Sequence, residues 1–292
     1  MNILVTGANG QLGTELRILS RQFPDNRYLF TDVTDVPGVE TIHLDICDRD
    51  AVRLVAASEK IDVIVNCAAY TNVDRAEDDE KTARLLNAGA AGNLAIAARE
   101  TGATLIHIST DYVFSGDGCV PIPETEPTAP RSVYGRTKLE GELAVRNSGC
   151  NYIILRTAWL YSPFGKNFVK TMRRLTAENE SINVVFDQVG TPTSAADLAA
   201  AIMHIIATGQ LDKKGVYHFT DEGVASWFDF ACAIAALSGN KCDVRPCRSD
   251  QFPSKVARPH YSVLDKRLVK ETFGVAVPHW YEALKTCIAR MD

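Results

Sequence analysis

The chain has 292 residues, 31 Lys and Arg against 36 Asp and Glu for a net charge of −5, and 46% hydrophobic content. That is enough for one large core or two moderate ones, and a charge spread without a basic block argues against nucleic acid and for a small-molecule ligand. No apolar run approaches the roughly 20 residues that span a bilayer, and the opening Met1-Asn2-Ile3-Leu4-Val5-Thr6-Gly7 lacks the basic segment of a signal peptide, so a cytoplasmic protein without membrane contact is expected.

Residues 2–6 read as a short buried strand, followed by Gly7-Ala8-Asn9-Gly10-Gln11-Leu12-Gly13 and then by Leu12, Leu16 and Leu19 at helical spacing. In a strand-turn-helix unit, glycines allow a tight turn, close approach of a pyrophosphate and close helix packing, while the helix N-terminus offers free amides to the anion. Gly7, Gly10 and Gly13 therefore point to a dinucleotide, although the spacing is Gly-x-x-Gly-x-x-Gly and a plain turn is the simpler alternative. A second strand, 28–31, ends at Asp32, where this architecture places the carboxylate that binds the adenosine ribose. An acid there repels a 2′-phosphate, which favours NADH over NADPH unless Arg17 or Arg27 compensates; Asp32 or Asp35 could equally cap a loop. Asp45 and Ile46 suit the amino group and face of an adenine.

The β-branched run 62–66 leads into Cys67-Ala68-Ala69-Tyr70-Thr71, whose small residues let a ligand lie against the backbone. Helices are expected around 73–79 and 80–101, then a buried strand at 103–108 containing His107, read as a core histidine. Its end carries Ser109, Thr110 and Asp111, at the sheet edge where ligands of open parallel sheets bind. Further on, Tyr134-Gly135-Arg136-Thr137-Lys138 places Tyr134 and Lys138 on one face of a helix. An ammonium beside a phenol stabilises its ionised form and makes it a proton donor. A surface pair is the bland alternative for Tyr134 and Lys138, and a turn cap for Thr110.

A strand at 151–156 closes this alternation, which implies an α/β fold with a doubly wound parallel, Rossmann-type sheet over residues 1–156. Residues 157–292 are expected to form a smaller α/β substrate-binding region, with parts near 187–210 returning to the first domain. There, Trp159 stands at a strand end, suited to stacking on a sugar. A helix opens at 164–168, a strand lies at 182–186, a polar loop at 187–193, a helix at 194–207, a strand at 215–220, and helices at 226–237 and 277–290. Segment 245–260, with three prolines and Arg248, Lys255 and Arg258, reads as a lid, a phosphate-contacting loop or an idle basic loop. The eight cysteines are dispersed and never spaced Cys-x-x-Cys, so buried thiols are expected.

With these motifs, above all Ser109-Thr110-Asp111-Tyr112-Val113-Phe114 and Tyr134 to Lys138, the chain resembles the extended short-chain dehydrogenase/reductase superfamily over nearly its whole length. The resemblance implies that Gly10, Gln11 and Leu12 meet the pyrophosphate, Asp32 the ribose, Asp45 and Ile46 the adenine, and Ala69, Tyr70 and Thr71 the inner dinucleotide. It further implies that Tyr134 and Lys138 touch the nicotinamide ribose, that Thr110, Asp111 and Trp159 face a deoxysugar, and that the reaction is NADH- or NADPH-dependent reduction of the C4 ketone of dTDP-4-dehydro-L-rhamnose. Some relatives are dimers bridged by Mg²⁺ on glutamates; the corresponding loop here, Ser194-Ala195-Ala196-Asp197, has no glutamate, so no metal and a monomer or weak homodimer are expected. Two rivals stay open: a nucleotide-sugar epimerase or dehydratase, and a non-catalytic regulatory subunit like that of methionine adenosyltransferase.

Overall fold

The structure, a computed structural model, describes residues 1–252 and 254–291. Its first half alternates strands β1 (Asn2–Thr6), β2 (Arg27–Asp32), β3 (Ile42–His43), β4 (Val63–Asn66), β5 (Thr104–Thr110) and β6 (Asn151–Thr157) with helices α1 (Gln11–Ser20), α2 (Arg49–Ser58), α3 (Val73–Ala76), α4 (Glu80–Arg84), α5 (Ala90–Thr101) and α6 (Val133–Asn147). The second half adds β7 (Leu160–Tyr161), β8 (Ser181–Val185), β9 (Val189–Gly190), β10 (Thr193–Ser194), β11 (Gly215–His218), β12 (Ala225–Ser226) and β13 (Asp243–Cys247). Its helices are α7 (Phe168–Glu178), α8 (Ala195–Ala207), α9 (Trp227–Leu237), α10 (Arg267–Phe273) and α11 (Trp280–Ala289).

Seven parallel strands form the main sheet in the order β11-β6-β5-β4-β1-β2-β3. Side chains alternate across a strand, so a sheet covered on both faces needs apolar residues at both parities. Leu4, Ile64, Leu105 and Ile154 enter one core beneath α2 and α5, while Val5, Val65, Ile106 and Ile153 enter the other with α1 and α8. The order reverses beside β1, whose neighbours are β2 and β4, and the carboxyl ends of β1 and β4 thus flank the crevice typical of such sheets.

The sheet does not stop at residue 156: β11 pairs in register with β6, and α8 packs on α1. The remaining strands make three two-stranded pairs, β7 with β10, β9 with β12 and β8 with β13. A separate core of Tyr161, Val169, Phe230, Ile234, Trp280 and Leu284 holds α7, α9 and α11 together. The start of segment 245–260 is strand rather than loop, since Arg245, Pro246 and Cys247 pair with β8. Pro246 lies on a strand with one neighbour only, where a missing N–H is tolerated. Pro253, inside the same segment, lies outside the described residues.

Candidate active site

The glycine turn fits an anion by subtraction of side chains. Gly7 has φ +64°, and a Cβ there would come within 2.6 Å of the Ala68 nitrogen, in the loop after β4. A Cβ on Gly13 would lie 2.5 Å from the Gly7 carbonyl oxygen, so α1 can approach β1 only with glycine there. Gly10 caps α1 without a side-chain hydrogen bond, which leaves the first-turn amides of Gln11, Leu12 and Gly13 to a ligand. The Gln11 side chain is spoken for: its oxygen accepts from Ser162 Oγ at 3.0 Å and Asn167 Nδ2 at 2.9 Å, tying the turn to the second half.

At the end of β2, Asp32 makes contacts that the sequence could not show. Its Oδ2 accepts the Asn9 amide at 3.1 Å, and its Oδ1 accepts the Thr34 amide at 3.0 Å and hydroxyl at 2.8 Å. It braces the glycine turn and caps its own loop at once. Asp45 is exposed and caps Cys47 through a 2.8 Å bond, but Ile46 is buried in the core, so the two do not present a joint face.

On the other side of the crevice, Ala69 and Tyr70 are half-buried and Thr71 is exposed. Asn87, in a π-helical turn between α4 and α5, shapes this loop. It accepts the Tyr70 amide at 2.8 Å and donates to the Tyr70 carbonyl at 3.2 Å and to Thr137 Oγ1 at 3.0 Å. One amide thereby joins the loop after β4 to the helix of Tyr134 and Lys138. Such turns recur at functional sites, but no residue pattern in 85–89 announces one.

α6 packs closely on the turn after β5 and on the π-helical turn because Gly135 and Gly141 lie against the carbonyls of Tyr112 and Asn87, where a Cβ would come within 2.2 and 2.1 Å. Lys138 is buried and donates to the Ile108 carbonyl at 2.6 Å. Burial lowers its ammonium to about 8, against the upward pull of Glu142. Tyr134 is half-buried, and the Thr110 hydroxyl beside it favours its ionised form, yet burial raises the phenol overall, helped by Asp111 and Tyr112. The Lys138 ammonium is engaged by the Ile108 carbonyl, and desolvation dominates the proton affinity of the phenol. Asp111 is pushed up to about 6 by burial and accepts from Thr110 Oγ1 at 2.9 Å. Thr110 also accepts the Tyr112 amide at 3.2 Å, so the turn-capping role and a place beside the phenol coexist.

Beneath this group lies a network missed by sequence reasoning. The fully buried Glu142 carboxylate accepts from Ser109 Oγ at 2.5 Å and from Arg156 Nε and Nη2 at 2.8 and 2.7 Å. A signal existed: a charged residue inside the apolar run Ile153-Ile154-Leu155-Arg156 must find a partner, because an unpaired charge is too costly to bury. His107 is buried and bonded to Asn66 Nδ2 at 3.0 Å, and burial holds it well below the usual histidine range.

Trp159 adopts φ +51° and stacks on Trp227 with ring centres 3.5 Å apart and planes 8° off parallel, so one of its faces is taken by protein. Trp227 lines a cavity of about 1090 Å³ with Phe168, Met172 and Ile182, and its lining also includes Arg248, Lys255 and Arg258. Arg258 donates to Asp74 at 2.9 Å and lies beside Tyr112, whose ring meets that of Tyr134 edge-on at 5.4 Å. Lys255 pairs with Asp78, so 254–258 straps the cavity to the segment around α3. The basic segment thus connects the cavity to the phenol.

Glu15, in α1, receives two 2.9 Å bonds from Arg290, and among the described residues no group of three His, Cys, Asp or Glu is placed to hold a metal ion. Nor is any helix among them long and apolar enough to cross a membrane.

Residues 1–292 match the family described as RmlD substrate binding domain. The chain is 39% identical to dTDP-4-dehydrorhamnose reductase of Burkholderia thailandensis, over 99% of this chain and 98% of that one. It is similar in structure to a dTDP-4-dehydrorhamnose reductase of Clostridium acetobutylicum, with a TM-score of 0.93 and 42% identity over 100% of this chain and 99% of that one. A third relative, the dTDP-4-dehydrorhamnose reductase of Bacillus anthracis in complex with NADP, matches with a TM-score of 0.90 and 38% identity over 99% of each chain.

Proposed function

The chain belongs to the RmlD substrate-binding-domain family, and from that premise we propose that it reduces the C4 ketone of dTDP-4-dehydro-L-rhamnose to dTDP-L-rhamnose, using NADH or NADPH. It is an NAD(P)H-dependent oxidoreductase with a Rossmann-type sheet. The observation that carries the assignment of residues is the convergence of Thr110, Tyr134 and Lys138 at the carboxyl end of β5, next to the glycine turn's crevice and within reach of the cavity through Tyr112 and Arg258.

In this reading, Gly7, Gly10, Gln11, Leu12 and Gly13 hold the pyrophosphate, Asp32 and Asp45 border the adenosine, and Ala69, Tyr70 and Thr71 border the inner half. The nicotinamide, when bound, supplies the hydride. Tyr134 donates the proton that the new alcohol needs, and Thr110 turns its one O–H from Asp111 to the carbonyl oxygen as charge develops there. Lys138 holds the nicotinamide ribose and keeps positive charge near the phenol. Asp111 orients Thr110. Trp159, stacked on Trp227 and with Gly190 against its ring, borders the sugar, while Arg248, Lys255 and Arg258 meet the diphosphate. We place the protein in the cytoplasm as a monomer or weak homodimer acting on this small molecule and not on nucleic acid.

Supplying dTDP-4-dehydro-L-rhamnose and following the absorbance of NADH and of NADPH tests the reading. One reduced cofactor should be consumed per sugar. Turnover of the sugar without net cofactor loss would turn the assignment towards an epimerase or dehydratase, and no turnover at all would turn it towards a regulatory subunit.

A further inference from the structure

The loop 162–167, between β7 and α7, touches both halves of the site. Asn167 is the N-cap of α7, and its Oδ1 accepts the Lys170 amide at 3.1 Å, the ordinary use of asparagine at that position. Its Nδ2 reaches Gln11 Oε1 at 2.9 Å and also bonds the Ser162 carbonyl at 2.8 Å and the Phe164 carbonyl at 3.2 Å. Gly165, at φ +62°, lets the loop come this near, since a Cβ there would lie only 3.3 Å from Gln11 Cγ. One turn further along α1, Glu15 is bound twice by Arg290, whose guanidinium lies 5.8 Å from the centre of the Phe164 ring. The loop is thus held to α1 at two successive turns.

Each end of this bridge belongs to a different ligand. Gln11 opens α1, and its backbone amide is one of those left for the pyrophosphate. Beyond Asn167, the residues Phe168, Met172 and Leu175 stand at i, i+4 and i+7, one face of α7, and all three line the cavity. An anion on the Gln11 amide fixes that residue and, through Oε1, the Asn167 side chain. A nucleotide against the Phe168 face fixes α7 from the other side. Whichever binds first orders the shared loop, and the second is spared that ordering.

We propose that Asn167 is a positioning residue that couples the two binding events, so that the dinucleotide and the nucleotide sugar each tighten the other's binding. The inference rests on the proposed reading of both sites, and titration with fragments separates the two. ADP-ribose keeps the pyrophosphate but lacks the nicotinamide, and dTDP lacks the sugar, so the pair cannot meet where the hydride passes and any coupling between them runs through protein. In calorimetric titration of the full chain, each should bind about 5-fold or more tightly when the other is saturating, by the same factor in both directions, since linkage is reciprocal. Asn167→Ser keeps an N-cap oxygen for α7 but is too short to reach Gln11; it should bring that factor below about twofold while each ligand alone stays within about threefold of wild type. If Asn167→Ser does not fold, Gln11→Met, which removes the acceptor and keeps the backbone amide, should abolish the coupling in the same way. Independent binding of the two fragments to the wild-type chain, or a factor unmoved by the variant, would overturn the role of Asn167 alone. Failure of the wild-type chain to bind either fragment would overturn the reading of the sites and this inference with it.

Discussion

Glu142 and Arg156 form a fully buried, two-pronged ion pair at 2.8 and 2.7 Å, with Glu142 one turn beyond Lys138 on α6. The pair ties α6 to β6, and its third bond, from Ser109, ties both to β5 next to Thr110. Removing one member strands the other's charge in the core. Glu142→Leu should therefore cost about 3–5 kcal/mol in chemical denaturation, whereas Glu142→Leu with Arg156→Met should recover most of it. Equal losses in the single and double variants would contradict this account.

Tyr134→Phe removes the phenolic proton and little volume. Turnover should fall by about 10²-fold or more, as expected for a lost general acid, with cofactor binding intact. Near-normal turnover would refute the assignment.

Lys138 needs its proton to hold positive charge beside the phenol, and burial brings its ammonium to about 8. In the free enzyme it is charged below that value and neutral above it. The kcat/KM profile should therefore decline as pH rises through about 8, since that ratio reports the free enzyme. A flat profile across that range would remove Lys138 from the proposed machinery.

Asp221 is buried, with Oδ2 accepting the Ser194 amide at 3.0 Å and Oδ1 without a partner, and burial pushes it up to about 8. The folded protein then keeps a proton that the unfolded chain releases near the ordinary 3.8, so stability declines from about pH 4 to pH 8. Asp221→Asn should raise stability at pH 8 by roughly 1–3 kcal/mol, a gain that vanishes towards pH 4. Thermal midpoints of both proteins at the two pH values measure it.

Gly7 and Gly209 both sit in the left-handed region, at φ +64° and +68°, but only Gly7 faces backbone where a Cβ would be; nothing lies within 4 Å at Gly209. Gly209→Ala should cost only the conformational penalty of roughly 1 kcal/mol. Gly7→Ala should cost more and also weaken nucleotide binding, because the turn and the loop after β4 must part. Equal stability losses would show that the contact is unimportant.

Arg258→Ala should raise KM for the nucleotide sugar about 10-fold with kcat little changed, the pattern of a lost binding contact. A selective loss of kcat would place Arg258 in the chemistry instead.

The sequence by itself determined the strand, glycine turn and helix of the first unit, the apolar runs that make a sheet buried on both faces, and the helical spacing that puts Tyr134 and Lys138 on one side of α6. These are local properties, set by side-chain period, β-branching and the steric needs of glycine over a few residues. Only the tertiary structure decided that β11, some 60 residues away, completes the sheet on β6, and that Glu142 meets Arg156 and Ser109. It alone showed Asp32 bracing Asn9, and Trp159 lying on Trp227. The reason is physical: the energy of those contacts comes from burial and pairing between segments far apart in the chain, and no periodicity records it. The same holds for proton affinities, where the desolvation that governs Tyr134, Lys138 and Asp221 comes from the packed fold.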